Sequence, residues 1–226
     1  MLRAMSDFLL LFDLDGTLVD SLPDLTNALN EALRERGHAP LLPQEVRPMI
    51  GDGMAMLLAR GFAARGGDRV EAEAMHGRFT EIYEASATEN TRPYPGVAET
   101  LAALRRRGYR TGVATNKPQH ATGAVLRGLG LGDLFDGVAG GDRYAVRKPD
   151  PGHLWGLIDE LGGERNRAAM IGDSENDAAA ARAAGLPLFL MRYGYARIDP
   201  GELGADLVLD RFNELPAALD RLGLIP

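Results

Sequence analysis

Residues 8–21 constrain the fold more than any other part of the chain. The stretch opens with five apolar residues, Phe-Leu-Leu-Leu-Phe, and then places Asp13 and Asp15 two positions apart with Gly16 directly after them. A short apolar run that ends in Asp and Gly is typical of a strand buried on both faces. Such a strand, followed by a helical pattern, is expected to open a parallel α/β sheet that binds ligands beyond the carboxyl ends of its strands. We therefore expect both carboxylates at that edge, where their closeness requires a cation or a shared proton.

The pattern of apolar residues changes near residue 92. Residues 21–92 show helical periods and no convincing strand, whereas strands and helices alternate from Gly96 onward. This alternation predicts an α/β fold with a doubly wound, Rossmann-like parallel sheet. We expect residues 1–20 and 93–226 to form this core domain. Residues 21–92 are expected to form a helical cap domain, inserted at the ligand-binding edge of the sheet.

The composition excludes several classes of function. A formal net charge of −7 argues against a nucleic-acid partner, which requires a basic face. The absence of cysteine excludes disulfides, thiolate nucleophiles and cysteine-based metal sites. The apolar run at residues 9–12 is too short for the core of a signal peptide or for a membrane span. The sequence therefore predicts a cytoplasmic protein without a membrane partner.

Two further polar clusters precede predicted helices. Thr115 and Asn116 follow a predicted strand, where they could donate hydrogen bonds to phosphoryl oxygens or belong to an ordinary polar loop. Lys148 precedes a helix that Pro151 helps to start. Only two of the 25 basic residues are lysines, Lys117 and Lys148. Since a compact ammonium differs from a flat guanidinium, both positions are functional candidates, and an ammonium at Lys148 could hold a phosphoryl group.

The last cluster follows the predicted strand at residues 168–171. Ser174 and Asp177 fit the start of a helix, with a capping hydroxyl and an acidic first turn. That interpretation leaves Asp173, at the end of the strand, without a capping role. A hard cation such as Mg²⁺ takes oxygen ligands from a few carboxylates, and Asp13 and Asp173 suit it.

The clusters occur in order, and together they resemble the motifs of the haloacid dehalogenase-like superfamily over essentially the whole chain. Residues 21–92 resemble the helical cap of that superfamily. Within it, the chain is similar to the bacterial phosphoglycolate phosphatase family. The segments that carry this similarity are Asp-Leu-Asp-Gly-Thr-Leu-Val-Asp-Ser, Tyr-Pro-Gly-Val, Ala-Thr-Asn-Lys, Lys-Pro-Asp-Pro and Gly-Asp-Ser-Glu-Asn-Asp.

The resemblance implies a Mg²⁺-dependent phosphomonoester hydrolase that forms an aspartyl-phosphate. In that scheme Asp13 attacks phosphorus, and Asp15 protonates the leaving group and then activates water. The resemblance implies that Mg²⁺ is held by Asp13, the backbone carbonyl of Asp15, and Asp173. It also implies that phosphoryl oxygens are bound by Thr115, Asn116 and Lys148, and that Asp177 orients Lys148 or the water around the metal. Thr17 is expected by the same resemblance to favour hydrolysis over mutase chemistry. The resemblance further implies that the substrate is faced by the cap loop formed by Gly51, Asp52 and Gly53.

The expected partner is a small phosphorylated metabolite, with 2-phosphoglycolate preferred to a sugar or nucleoside phosphate. A β-phosphoglucomutase-like mutase and a non-catalytic phosphate-binding regulatory protein are the alternatives. The presence of Asp15 argues against dehalogenation, and the lack of any lysine in residues 21–92 excludes phosphonate cleavage through a cap lysine. A carboxylated substrate would need a cation or free amides from the cap. Arg47 and Arg60 are candidates, although the simpler interpretation of each is a solvated arginine.

Overall fold

A computed structural model describes residues 8–226, so residues 1–7 of the expected core domain lie outside the described residues. Within that range, six strands form one parallel sheet with the order β5-β4-β1-β6-β7-β8, and two short strands, β2 and β3, form an antiparallel pair. The strands are β1 (Leu9–Phe12), β2 (Val19–Asp20), β3 (Arg92–Pro93), β4 (Arg110–Ala114), β5 (Gly137–Ala139), β6 (Ala168–Gly172), β7 (Leu188–Met191) and β8 (Leu207–Leu209). The sheet confirms the predicted α/β class.

The described helices fall into two groups along the chain. The first four follow one another with no strand of the large sheet between them, and the other five alternate with its strands. The helices are α1 (Leu22–Glu35), α2 (Pro43–Val46), α3 (Met54–Ala63), α4 (Arg69–Ser86), α5 (Val97–Arg106), α6 (Gln119–Gly128), α7 (Gly152–Glu160), α8 (Glu175–Ala184) and α9 (Leu215–Arg221). Among these residues, no helix is both long and apolar enough to cross a membrane.

Strand β1 lies at the centre of the sheet, between β4 and β6. Its side chains alternate between two hydrophobic layers: Leu10 and Phe12 belong to one, and Leu9 and Leu11 to the other. Because helices cover both faces of the sheet, every residue of β1 is buried. The uninterrupted apolar run seen in the sequence follows from this double burial.

The helical block, defined here as α1 to α4, has an apolar interior that is continuous with the hydrophobic layer containing Leu10 and Phe12. Helix α1 buries a stripe of residues spaced three and four apart, which includes Leu25, Leu29 and Leu33. Phe62 of α3 and Phe79 of α4 are fully buried in the same apolar cluster. The block therefore packs on itself through the same helical spacing that is visible in the sequence.

The expectation that residues 21–92 contain no strand is wrong at its last residue, Arg92. Strand β3 pairs with β2, with Val19 opposite Pro93 and Asp20 opposite Arg92. Each strand has only two residues, which is too few to show the alternation that marks a strand in a sequence. The pair joins the two chain segments that enter and leave the helical block. The division into a core domain and a cap domain stays a prediction.

Candidate active site

Three neighbouring strands of the sheet end at one place. Phe12 in β1 is in register with Val113 of β4 and Ile171 of β6. Parallel strands in register bring the residues that follow them to the same edge. The backbone N–H of Asp13 donates a hydrogen bond of 2.9 Å to the carbonyl of Ile171. This edge brings together the buried side chains of Asp13, Thr115 and Asp173.

Asp13 presents one engaged and one open carboxylate oxygen. Its Oδ1 accepts a hydrogen bond of 2.7 Å from the backbone N–H of Leu14 and lies 3.0 Å from Nζ of Lys148. Within residues 8–226, Oδ2 has no hydrogen bond or ion pair. Burial raises the pKa of Asp13 to about 6, against the opposing effect of the Lys148 charge. A carboxylate oxygen left open in this way can act as a nucleophile or as a metal ligand.

Lys148 is a buried cation held by two carboxylates. Its Nζ lies 3.0 Å from Asp13 Oδ1 and 2.6 Å from Asp177 Oδ1. Burial by itself would favour the neutral amine, but the charges of Asp13 and Asp177 outweigh burial and raise the pKa of Lys148. The ammonium is therefore charged, and it lies directly beside the Asp13 carboxylate.

Asp177 lies in the first turn of α8 and has both carboxylate oxygens occupied. Oδ1 takes the Lys148 ammonium. Oδ2 accepts hydrogen bonds from the backbone N–H groups of Asp173 and Ser174, at 3.1 and 3.0 Å, and from the Ser174 hydroxyl at 2.7 Å. A Cβ at position 172 would lie 2.4 Å from Cγ of Asp177, so this close approach requires Gly172. Asp177 thus positions Lys148 and the chain that follows β6.

Asp173 is held from two sides. Its Oδ1 accepts a hydrogen bond of 2.7 Å from the Thr17 hydroxyl, and its Oδ2 accepts one of 2.6 Å from the backbone N–H of Tyr195. A Cβ at Gly16 or Gly194 would lie within 2.4 Å of Asp173 atoms. Both glycines are therefore needed for the backbone to approach this carboxylate, and Gly16 also has a φ of +88°.

The acidic cluster is suited to a divalent cation. Asp13, Asp173 and Asp177 are buried, and each offers an oxygen within 4.8 Å of the others. Burial raises the pKa of Asp173 well above its usual range, and the charges of Asp177 and Asp13 add to this effect. Among the described ion pairs, Lys148 is the one cation that reaches the cluster. The Asp177 oxygens take the Lys148 ammonium and three hydrogen bonds, whereas each Asp173 oxygen accepts a single hydrogen bond. Asp13 and Asp173 are therefore the members with the most capacity left to ligate a metal.

Asp15 is paired with the other lysine. Nζ of Lys117 lies 3.0 Å from Asp15 Oδ2 and 4.5 Å from the centre of the Tyr83 ring. Burial opposes the charge on Lys117, but Asp15 and Tyr83 outweigh it and raise the lysine's pKa. The rarity of lysine in the sequence marked Lys117 as a candidate without indicating its partner. Nothing in the sequence pointed to Tyr83, which reaches the site from α4.

Asn116 joins the core to the helical block. Its Nδ2 donates hydrogen bonds of 3.0 Å to the backbone carbonyls of Gly51 and Lys148. Both of its amide hydrogens are therefore engaged, while the buried Oδ1 has no partner among the described residues. Thr115 is also buried, and its hydroxyl accepts a hydrogen bond of 3.2 Å from the backbone N–H of Lys117.

The loop at residues 51–53 is tied to the core through the Gly51 carbonyl and the Asp52 side chain. This carboxylate accepts a hydrogen bond of 2.7 Å from Asn176 and pairs with Arg60 at 2.5 Å and with Arg197 at 3.2 Å. Burial opposes the charge on Asp52, but the hydrogen bonds from Asn176 and Arg60 lower its pKa. Sequence reasoning did not identify Asn176 or Arg197, which lie more than 120 positions further along the chain.

Both arginines considered as cap cations have partners on the protein, although Arg47 is exposed to solvent and Arg60 is partly exposed. Arg47 donates hydrogen bonds to the backbone carbonyls of Tyr193, at 3.0 Å, and Gly194. Arg60 donates one of 2.8 Å to the carbonyl of Met49, besides its ion pair with Asp52. Neither side chain is available as an unpaired cation.

A cavity of about 30 Å³ lies between the sheet edge and the helical block. The block contributes an apolar wall, and the core contributes carboxylate, hydroxyl, amide and ammonium groups. The lining residues are Asp13, Asp15, Leu25, Ile50, Gly51, Gly53, Met54, Leu57, Thr115, Asn116 and Lys117. The reaction cavity, as we call it below, has room for a small polar group beside Asp13.

The chain is similar to several known proteins over nearly its whole length. The family described as haloacid dehalogenase-like hydrolase matches residues 9–185. The phosphoglycolate phosphatase of Rhodospirillum rubrum is 46% identical over 96% of this chain and 95% of that protein. A predicted phosphoglycolate phosphatase from Haemophilus somnus has a similar crystal structure, with a TM-score of 0.89 and 31% identity over 95% of this chain and 99% of that one. CbbY from Rhodobacter sphaeroides, solved in complex with phosphate, has a TM-score of 0.81 and 31% identity over 96% of this chain and 100% of that one.

Proposed function

The chain belongs to the haloacid dehalogenase-like hydrolase family, and on that premise we propose that it hydrolyses 2-phosphoglycolate to glycolate and phosphate. The observation that carries the chemistry is the open Oδ2 of Asp13, on a carboxylate that contacts the Lys148 ammonium through Oδ1 and lines the reaction cavity. The 46% identity to a phosphoglycolate phosphatase supports the choice of substrate. Phosphomonoester hydrolysis follows from the similarity to phosphoglycolate phosphatases within this family. The residue roles that follow are part of the proposal.

Asp13 is the nucleophile in this proposal. Its Oδ2 attacks phosphorus, the bond from phosphorus to the glycolate oxygen breaks, and an aspartyl-phosphate forms. Leu14 and Lys148 hold Oδ1, which leaves Oδ2 of this cavity-lining carboxylate for the attack. Water then attacks the phosphorus of the intermediate, which releases phosphate and restores the Asp13 carboxylate.

Asp15 carries the proton between these two steps. It donates a proton to the leaving glycolate oxygen and later takes one from the attacking water. Its carboxylate lines the reaction cavity and is held by Lys117 at 3.0 Å. Lys117 acts in the proposal as a positioning residue, because its ammonium contacts Asp15 and not the reacting atoms.

The phosphoryl group is bound by charge and by hydrogen bonds. Lys148 supplies the positive charge, and Thr115 supplies a hydroxyl at the end of β4. Asn116 lines the same cavity, but its amide hydrogens hold the carbonyls of Gly51 and Lys148. We therefore assign Asn116 to positioning the loop at residues 51–53 and the Lys148 segment.

Mg²⁺ is the metal that we propose for the acidic cluster. The residues fit it, because three buried carboxylates face one ammonium and Asp13 keeps an open oxygen. Asp13 and Asp173 would hold the ion together with the backbone carbonyl of Asp15. When bound, Mg²⁺ would neutralise negative charge on the transferring phosphoryl group. Asp177 and Thr17 support the ligands through Lys148 and Asp173.

The helical block acts as a cap in this proposal. Residues 21–92 would form the cap domain, and residues 1–20 and 93–226 the core domain. The apolar wall of Leu25, Ile50, Met54 and Leu57 would exclude bulk water during phosphoryl transfer.

The decisive experiment compares kcat/KM for 2-phosphoglycolate with kcat/KM for a panel of sugar and nucleoside monophosphates in the presence of Mg²⁺. We expect 2-phosphoglycolate to be preferred by at least about tenfold, which corresponds to about 1.4 kcal/mol of transition-state stabilisation. Comparable efficiency across the panel would reject the narrow substrate and leave a broad-specificity phosphatase. No turnover of any ester with fresh Mg²⁺ would favour the non-catalytic alternative.

Asp13→Asn tests the nucleophile. We expect this variant to lose turnover and to form no phosphoenzyme on incubation with labelled substrate, because the amide is not nucleophilic. Asp210→Asn is a matched control, since Asp210 is an exposed carboxylate paired with Arg192. Aspartyl labelling of the Asp13→Asn protein would show that another residue is the nucleophile.

A further inference from the structure

The carboxylate of 2-phosphoglycolate needs a counter-charge that the reaction cavity does not supply. The two lysines are committed, Lys117 to Asp15 and Lys148 to Asp13 and Asp177. Three arginines near the loop at residues 51–53 are also engaged with carboxylates or carbonyls. They are Arg47, Arg60 and Arg197.

Arg147 is the exception among the cations near the site. Its side chain is exposed, and it has no hydrogen bond or ion pair within the described part of the chain. It directly precedes Lys148, so the backbone that carries the phosphoryl-binding ammonium also carries this free guanidinium. A free guanidinium offers a planar fork of donors that matches a carboxylate.

The Arg147 guanidinium lies against the loop at residues 51–53. Its Nη1 is 3.3 Å from the position that a Cβ would occupy at Gly53, and the Asn116 carbonyl is 3.1 Å from the same point. Gly53 lines the reaction cavity, and its φ is +89°. Because glycine has no side chain, only the backbone of Gly53 lies between the Arg147 guanidinium and the reaction cavity.

A second cavity, of about 220 Å³, adjoins the first at Asn116, which lines both. Its lining residues are Asp52, Met56, Arg60, Asn116, Arg147, Lys148 and Pro149. The Asp52 carboxylate is already neutralised by Arg60 and Arg197. Arg147 consequently leaves this cavity with an unbalanced positive charge, which suits an anionic ligand.

We propose that Arg147 is the specificity-determining residue that binds the substrate's carboxylate. This inference rests on the proposed 2-phosphoglycolate phosphatase activity. The guanidinium contacts the glycolate carboxylate at the seam between the Gly53 loop and the core, while Lys148 holds the phosphoryl end. The consecutive residues Arg147 and Lys148 thus bind the two anionic ends of one small substrate.

The test uses the full chain with Mg²⁺ and two esters of similar length. 2-Phosphoglycolate carries the carboxylate, and ethyl phosphate has an uncharged leaving group. In Arg147→Met, we expect the ratio of kcat/KM for 2-phosphoglycolate to kcat/KM for ethyl phosphate to fall by about 10- to 100-fold, mainly through KM. That range is what loss of a charged hydrogen bond produces.

Two further variants make the test specific. Arg147→Lys keeps the charge without the fork, so we expect it to recover part of the lost ratio. Arg36→Met removes an exposed arginine just beyond α1 and is expected to keep the wild-type ratio. Turnover of ethyl phosphate by each variant reports whether it is folded.

The outcomes separate this inference from the function on which it rests. If the wild type prefers 2-phosphoglycolate and Arg147→Met keeps the full preference, Arg147 is not the carboxylate-binding residue, although the proposed function stands. If the wild type hydrolyses both esters equally well, the proposed substrate is wrong, and the proposed binding of its carboxylate by Arg147 is then wrong as well. A selective fall of the ratio in Arg147→Met supports the inference.

Discussion

Nζ of Lys117 lies 3.0 Å from Oδ2 and 3.1 Å from Oδ1 of Asp15. The two residues are 102 positions apart in the chain. The lysine side chain is 1% exposed and the aspartate side chain 13%. The Tyr83 ring faces the same ammonium from the helical block. The environment of the proposed proton carrier is therefore built jointly by the core and the block.

Removal of this ammonium is expected to destabilise the protein strongly. Lys117→Met leaves the Asp15 carboxylate without its partner, which should lower the free energy of unfolding by about 3 kcal/mol. Adding Asp15→Asn should recover most of that loss, because no unpaired charge then remains. Urea denaturation of the two single variants and the double variant measures the coupling. Strictly additive effects would show that the pair contributes nothing. Arg69→Met, which breaks an exposed ion pair with Glu73, should cost under about 1 kcal/mol.

The pKa of Asp13 predicts a pH dependence of stability. Burial raises it from 3.8 in the unfolded chain to about 6, so between these pH values the folded protein binds more protons than the unfolded chain. The free energy of unfolding contributed by Asp13 therefore falls as pH rises through this window, by about 3 kcal/mol. The difference in unfolding free energy between wild type and Asp13→Asn, measured in EDTA from pH 4 to 7, should fall accordingly. If the difference in unfolding free energy stayed constant or rose with pH, the raised pKa of the buried Asp13 carboxyl would be contradicted.

Metal binding is expected to stabilise the fold. Mg²⁺ at 100 times its dissociation constant should add about 2.7 kcal/mol to the free energy of unfolding. Asp173→Asn should abolish this gain, because it removes one of the two carboxylates that we propose as metal ligands. Thermal unfolding with and without Mg²⁺ measures the effect, with Asp210→Asn as the exposed control. Equal stabilisation of Asp173→Asn and wild type would place the metal elsewhere.

Tyr195 links the start of the helical block to the acidic cluster. Its hydroxyl donates to Asp20 at 2.6 Å and accepts from the backbone N–H groups of Ser21 and Leu22, at 2.9 and 3.1 Å. Tyr195→Phe leaves the buried Ser21 N–H unpaired and removes one partner each from Leu22 and Asp20, which should lower the free energy of unfolding by about 2 kcal/mol. The Mg²⁺ dissociation constant should change by less than about threefold, because the contact with Asp173 is made by the Tyr195 backbone N–H. Calorimetry and urea denaturation test the two parts; weaker Mg²⁺ binding with unchanged stability would contradict this assignment.

The sequence was sufficient for the α/β fold and for the positions of the strand-end carboxylates. An apolar run followed by a carboxylate is a local signal, and parallel neighbours in register bring such ends together at Asp13 and Asp173. Helical spacing likewise indicated α1 to α4, because periodicity is contained within each segment. The two-residue strands β2 and β3 were missed, since they are too short to show any period.

The amino-acid sequence by itself thus determined the order of the elements, the class of the fold and the carboxylates at the ends of β1 and β6. Only the tertiary structure decided which charges are paired: Lys117 with Asp15, Lys148 with Asp177, and Asp52 with Arg60 and Arg197. It also decided that Arg147 stays unpaired within the described residues. The physical reason is that hydrogen bonds and ion pairs act over about 3 Å in space, and no local sequence pattern records which distant residues the fold brings within that distance.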